Sequence, residues 1–114
     1  MKYTESLKKN DDFRSVYSLK NSVACRYLVL YVKKNGLDIN RLGISVSKKV
    51  GNSVVRHRLR RLIKEAYRLN EERFHTGSDL VIVARVNSKD CTYFEIESAI
   101  CRLAEKKKII KEKQ

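Results

Sequence analysis

The chain has no proline, only four glycines, three cysteines, two histidines and half as many acidic as basic residues across 114 positions. No linker, internal repeat or low-complexity block divides it, which excludes a multidomain arrangement and leaves one domain over residues 1–114, large enough for a core without staples. Gly36, Gly43, Gly51 and Gly77 are too scattered for a glycine-rich phosphate cradle. Cys25, Cys91 and Cys101 are an odd number without a C-x-x-C pair, so reduced thiols are expected rather than a disulfide framework or a zinc site. His57 and His75 have no neighbouring Cys, Asp or Glu in the pattern of a metal motif or a catalytic triad. No run approaches the roughly 20 apolar residues that span a bilayer. The segment Met1-Lys2-Tyr3-Thr4-Glu5-Ser6 has no apolar core of a secretory signal, so a cytoplasmic protein off the membrane is expected.

What is abundant is positive charge. Twenty-six Lys and Arg against 13 Asp and Glu give +13, a balance that favours a polyanionic partner through attraction and counterion release. The charge concentrates in residues 48–68. There Lys48, Lys49, Arg56, Arg58, Arg60, Arg61, Lys64 and Arg68 face one acid, Glu65, while Val55, Leu59, Leu62, Ala66 and Leu69 keep helical spacing. A core-facing stripe beneath dense charge predicts a folded helix that meets RNA or DNA. At about 100° per residue, Arg60, Lys64, His57, Arg68 and Arg61 lie opposite the stripe, and Arg56 and Arg58 fall on its two flanks. Guanidinium groups bind phosphate bidentately, and Lys contributes a compact charge. Asn52 or Ser53 can cap this helix, and Lys48 and Lys49 with the first-turn N–H groups would make an anion site there. His57, among arginines, reads as an RNA-facing donor or acceptor.

The rest of the chain predicts the order α-β-β-(β)-α-β-α. A helix starts at Asn10-Asp11-Asp12, with a capping side chain and acids in its first turn, and carries Phe13, Val16 and Tyr17. Residues 22–34 alternate, with Leu28, Leu30 and Val32 on one side and Tyr27, Val29, Tyr31 and Lys33 on the other; an extra short strand falls near Val23-Ala24. Asn35-Gly36 predicts a hairpin into a strand with Leu42, Ile44 and Val46 on one face. Leu80 to Ala84 is a continuous apolar strand, central in the sheet. Thr92-Tyr93-Phe94-Glu95 is a capping box that opens a last helix, and the tail from about residue 106 is expected to fray. The outcome is an α/β two-layer sandwich with about four mixed strands. Its open face presents Tyr27, Tyr31, Gly43, Ser45 and Ser47, with the first helix along its edge. Phe13 and Tyr17 are then either core anchors or rings on which unpaired bases stack.

The run from Leu42 through Lys48-Lys49-Val50-Gly51-Asn52-Ser53-Val54-Val55-Arg56-His57-Arg58 to Glu65 resembles the signature of bacterial ribonuclease P protein subunits. Leu7 to Phe13 is similar to that family's opening, and Leu80 to Arg85 to its last strand. The resemblance implies a left-handed βαβ crossover and a non-catalytic protein. Its partner would be one large catalytic RNA, in a 1:1 complex that needs no further protein and uses magnesium to cleave the 5′ leader from precursor tRNA. The family's Arg-Asn-Arg motif falls on Arg56-His57-Arg58, which with Lys48, Lys49, Asn52, Arg60, Arg61, Lys64 and Arg68 would contact the catalytic RNA. Phe13, Tyr17, Tyr31 and Ser45 would line the leader cleft. His57 stands where Asn is usual and Tyr17 where Phe is common; a neutral histidine keeps one donor and one acceptor, but is larger and can become cationic. The alternative is a generic structured-RNA-binding or ribosome-associated protein.

Overall fold

The two alternating stretches in the middle of the chain become strands, but a third strand separates them. In the computed structural model, which describes residues 1–111, the elements are β1 (Thr4–Ser6), α1 (Asn10–Ser18), β2 (Ser22–Ala24), β3 (Leu28–Lys34), β4 (Asn40–Ser45), α2 (Ser53–Asn70), β5 (Ser78–Ala84) and α3 (Tyr93–Lys106). The sheet order is β1-β4-β5-β3-β2. β1, β4 and β5 run parallel, while β3 is antiparallel to β5 and β2. Helix α2 is therefore the crossover between parallel neighbours, and β5 is central as expected.

The sheet has five strands rather than about four, because β1 carries no readable pattern. It is three residues long and polar. Long-range bonds hold it: Glu71 accepts from the backbone N–H groups of Lys2 (2.9 Å) and Tyr3 (3.2 Å), and Thr4 Oγ1 meets the Tyr67 hydroxyl at 2.8 Å. The Asn35-Gly36 hairpin is corrected too. Asn35 does form a turn, its Oδ1 accepting from Leu37 N–H at 2.8 Å. The flanking strands nevertheless diverge to admit β5, whose entry is fixed by Asn35 N–H on Gly77 O (2.9 Å) and Gly77 N–H on Ile39 O (3.2 Å).

One core lies between the sheet and the helices α2 and α3. Leu28, Leu30, Val32, Leu42, Leu80 and Ile82 pack there against Leu59, Ile63, Ala66, Ile96, Ile100 and Leu103, all buried. Each Leu, Ile or Val side chain among them contributes about 1.5–3 kcal/mol when fully buried. The buried stripe of α2 is Leu59, Ile63, Ala66 and Tyr67, rotated from the expected one; Val55 and Leu62 are half-buried and Leu69 is 57% exposed. Tyr67 is the cause. Its ring enters the core because Thr4 and the amide of Asn40 satisfy its hydroxyl, so a nominally polar residue outranks Leu69.

Helix α1 covers part of the opposite face through Val16, which sits with Leu7 and Val81. Its expected side-chain cap is absent: Lys9 is the capping residue and Asn10 already lies within the helix. Asp11 and Asp12 still occupy the first turn. The other two helix starts are as expected, with Asn52 Oδ1 accepting from Val55 N–H (3.0 Å) and a complete Thr92–Glu95 capping box. The expected fraying is corrected over residues 107–111. Ile110 is buried and bridges to Phe74, while His75 N–H donates to Ile109 O and Lys111 N–H to Arg73 O. Residues 112–114 of that tail lie outside the described residues.

Candidate RNA-binding surfaces

The open face of the sheet is built by placing a large ring where the strand has no side chain. Gly43 lies on β4, and a Cβ there would come within 2.6 Å of Phe13 Cε1 and Cζ. The ring of Phe13 therefore rests on the backbone of β4. One helical turn on, Tyr17 meets Tyr31 of β3 edge to face, with centroids 4.8 Å apart at 80°, and Phe13 and Tyr17 are 6.4 Å apart. All three rings are half-buried, as is Ser45, two residues beyond Gly43 on the same face of β4. The expected cleft residues thus come together. Helix α1 lies across β3 and β5 rather than along the sheet edge.

Tyr27 is not part of this face. It precedes β3, where the chain bends, and its hydroxyl donates to Glu95 of α3 at 3.1 Å while its ring packs against the main core. That bond to a carboxylate pushes the Tyr27 hydroxyl above its usual pKa.

A network not foreseen from residue spacing fixes one end of α1. Arg41 holds Asp79 through Nε (2.8 Å) and Nη2 (2.7 Å) and reaches Asp12 at 4.0 Å. Lys33 donates to Ser15 Oγ, and Asn35 Nδ2 to Asp79 at 3.0 Å. Burial alone would raise the Asp79 carboxyl; the bonds from Arg41 and Asn35 and the charges of Arg41 and Lys33 outweigh it and hold the group below the usual carboxylate range. The one signal in the sequence was a lone Asp at the head of an apolar strand.

On the other layer, α2 displays its cations from Arg56 to Arg68, about three and a half turns. His57, Arg58, Arg60, Arg61 and Lys64 are exposed, as are Lys48 and Lys49 in the turn before the helix. Arg58 and Arg60 reach opposite ways; Arg58 does so from its expected flank, whereas Arg60, expected diametrically opposite the core stripe, folds back toward the sheet. Arg58 Nη2 donates to Cys91 O at 2.8 Å, toward α3, and Arg60 Nη2 to Val46 O at 3.4 Å, toward β4. Arg56 is half-buried, and its Nε has no partner among the described residues. Two expected RNA contacts have internal work. Asn52 uses its side-chain oxygen for the cap, and Arg68 pairs with Glu65, holding that carboxyl below its usual pKa. Gly51 permits the tight entry to the helix, since a Cβ there would meet Val55 Cγ1 at 2.8 Å. Among the described residues no group of three or more His, Cys, Asp or Glu could hold a metal ion, and no helix is long and apolar enough to cross a membrane.

Comparison with known proteins gives the family and the fold. The Ribonuclease P family model matches residues 1–108. The ribonuclease P protein component of Lachnoclostridium phytofermentans is 60% identical over 107 residues, covering 94% of this chain and 92% of its own length. That of Alkaliphilus metalliredigens is 53% identical over 96% of this chain and 99% of its own. Among solved structures, the RNase P protein of Staphylococcus aureus superposes with a TM-score of 0.85 at 36% identity, covering 92% of this chain and 96% of that one. The Thermotoga maritima protein gives 0.82 at 27%, covering 90% and 96%. The chain belongs to the ribonuclease P protein family.

Proposed function

We propose that this chain uses two separate surfaces to join two RNAs. As a ribonuclease P protein component it is a subunit of the ribonucleoprotein that processes tRNA 5′ ends. In this reading the exposed face of α2, with Arg56, Arg58, Arg60, Arg61 and Lys64, docks one RNA subunit. The sheet face with Phe13, Tyr17, Tyr31 and Ser45 holds the 5′ leader of precursor tRNA. The observation that carries it is the row of three half-buried rings on the side of the sheet away from α2. Rings beside a small hydroxyl suit unpaired bases of any sequence, as a leader requires. The exposed Arg58, Arg60, Arg61 and Lys64 of α2, with Lys48 and Lys49 just before it, support the other half, because guanidinium and ammonium groups bind phosphate.

Cleavage then belongs to the RNA subunit. Among the described residues there is no nucleophile–base pair and no side-chain cluster for magnesium; in this reading the metal is held by RNA and the protein's own work is binding and orientation. Such a complex forms 1:1, in the cytoplasm, without a further protein. Reconstitution tests this: the protein alone leaves precursor tRNA intact, and added to the cognate RNA it improves cleavage at low magnesium. Robust cleavage by RNA-free protein would contradict it.

A further inference from the structure

Phe94, in the first turn of α3, is 76% exposed. It does not stand alone. Tyr93 meets it edge-on at 5.5 Å, and a groove of about 310 Å³ opens beside it, between α3 and the bend joining β2 to β3. Arg26 and Tyr27 line the groove from the bend; Phe94, Ser98 and Arg102 line it from α3, one turn apart each. The Arg26 guanidinium lies 5.6 Å from the centroid of the Tyr27 ring. Glu95 is the carboxylate in the lining, and both its oxygens are engaged, by Thr92 N–H (2.9 Å) and the Tyr27 hydroxyl (3.1 Å). A third guanidinium stands at the rim, where Arg85 donates to Cys25 O at 2.9 Å.

Two guanidinium groups with no carboxylate paired to them among the described residues, two aromatic rings and one occupied carboxylate are complementary to a phosphate attached to a flat apolar ring. They match an apolar protein segment poorly, because burying Arg26 and Arg102 against one would leave both charges unpaired. The groove is also continuous with α2: Arg58 reaches the carbonyl of Cys91, and the next residue, Thr92, caps α3. We propose that this groove is a third RNA contact, which takes an unpaired nucleotide of the RNA subunit, its base on Phe94 and its phosphate between Arg26 and Arg102. The assignment rests on the docking role given to α2.

The test reconstitutes the full chain with RNA subunit transcribed with 5-iodouridine in place of uridine. The complex is irradiated without substrate, and the cross-linked peptides are identified by mass spectrometry. Cross-links on Phe94 or Tyr27 are expected, together with about a tenfold loss of affinity for the RNA subunit in Phe94→Ala, recovered in Phe94→Trp. Unchanged affinity in Phe94→Ala overturns the groove assignment while leaving docking by α2 intact. So does a cross-link there that forms only when precursor tRNA carries the iodouridine, or a self-association of the free protein that Phe94→Ala abolishes. Failure of the wild-type chain to bind the RNA subunit at all overturns the proposed function with it.

Discussion

The ring of Phe13 fills the space that a side chain at position 43 would need: a Cβ on Gly43 would lie 2.6 Å from two of its carbons. Phe13 belongs to α1 and Gly43 to β4, so this one contact sets how closely the helix approaches the sheet and how high the ring stands in the cleft. Gly43→Ala should lift Phe13 and cost about 1–3 kcal/mol of stability, the usual range for overpacking. Urea unfolding checks the stability. Binding of precursor against mature tRNA checks the cleft: the preference for precursor should fall while affinity for the RNA subunit holds.

The two surfaces should separate under mutation. Arg58→Ala removes a cation from the α2 flank and its bond to Cys91 O, and should weaken binding to the RNA subunit about tenfold or more. Tyr31→Ala removes the partner of Tyr17 in the cleft and should instead weaken leader recognition, by about 1–3 kcal/mol. Titration of each variant against the RNA subunit and against precursor tRNA distinguishes them. Equal effects of both changes in both titrations would contradict the two-surface model.

Asp79 supplies a pH signature. Its carboxyl is held below its ordinary value near 3.8, so its contribution to stability is fully present above that value and is lost as pH falls through the lower, folded pKa. Asp79→Asn keeps the shape but leaves Arg41 without its charge partner. It should cost about 2–3 kcal/mol at neutral pH, less than for a fully buried pair because Arg41 is partly exposed. It should also flatten the acid limb. Urea midpoints from pH 7 down to pH 3 for both proteins measure this.

How much of this was legible in the sequence depends on the range of the interaction. The α2 cap, the α3 capping box, the alternation of Leu28, Leu30 and Val32 and the cations of α2 are all local patterns, and they fold as read. The resemblance added Phe13, Tyr17 and Tyr31 as a group, which spacing alone left open between anchors and stacking rings. Apart from the missing cap at Asn10, which is local, what failed was non-local. β1 exists because Glu71 and Tyr67, over sixty residues away, hold it. The strands either side of Asn35-Gly36 separate because β5 is inserted later in the chain. Tyr27 leaves its alternating face because the chain bends before β3 begins, within reach of Glu95. Leu69 lost its place in the stripe to Tyr67 for want of a foreseeable partner for the tyrosine hydroxyl.

Salt dependence should count the phosphate contacts. Arg60→Ala and Arg61→Ala should each reduce the slope of log affinity for the RNA subunit against log salt by about one. Removing Arg68, already paired with Glu65, should change it less. Filter binding from low to moderate salt gives these slopes, and a larger change for Arg68→Ala than for Arg60→Ala would contradict the ranking.

In the proposed arrangement the sheet face beneath α1 grips the leader while α2 holds the RNA subunit. Its most direct measurement is the affinity of the reconstituted complex for precursor tRNAs whose 5′ leaders are shortened one nucleotide at a time. The advantage over mature tRNA should decline with leader length and vanish when the leader no longer reaches Phe13, Tyr17 and Tyr31, with Tyr31→Ala reducing it throughout the series. An affinity that does not change with leader length would contradict it, and would leave this chain as an RNA-binding subunit with one surface instead of two.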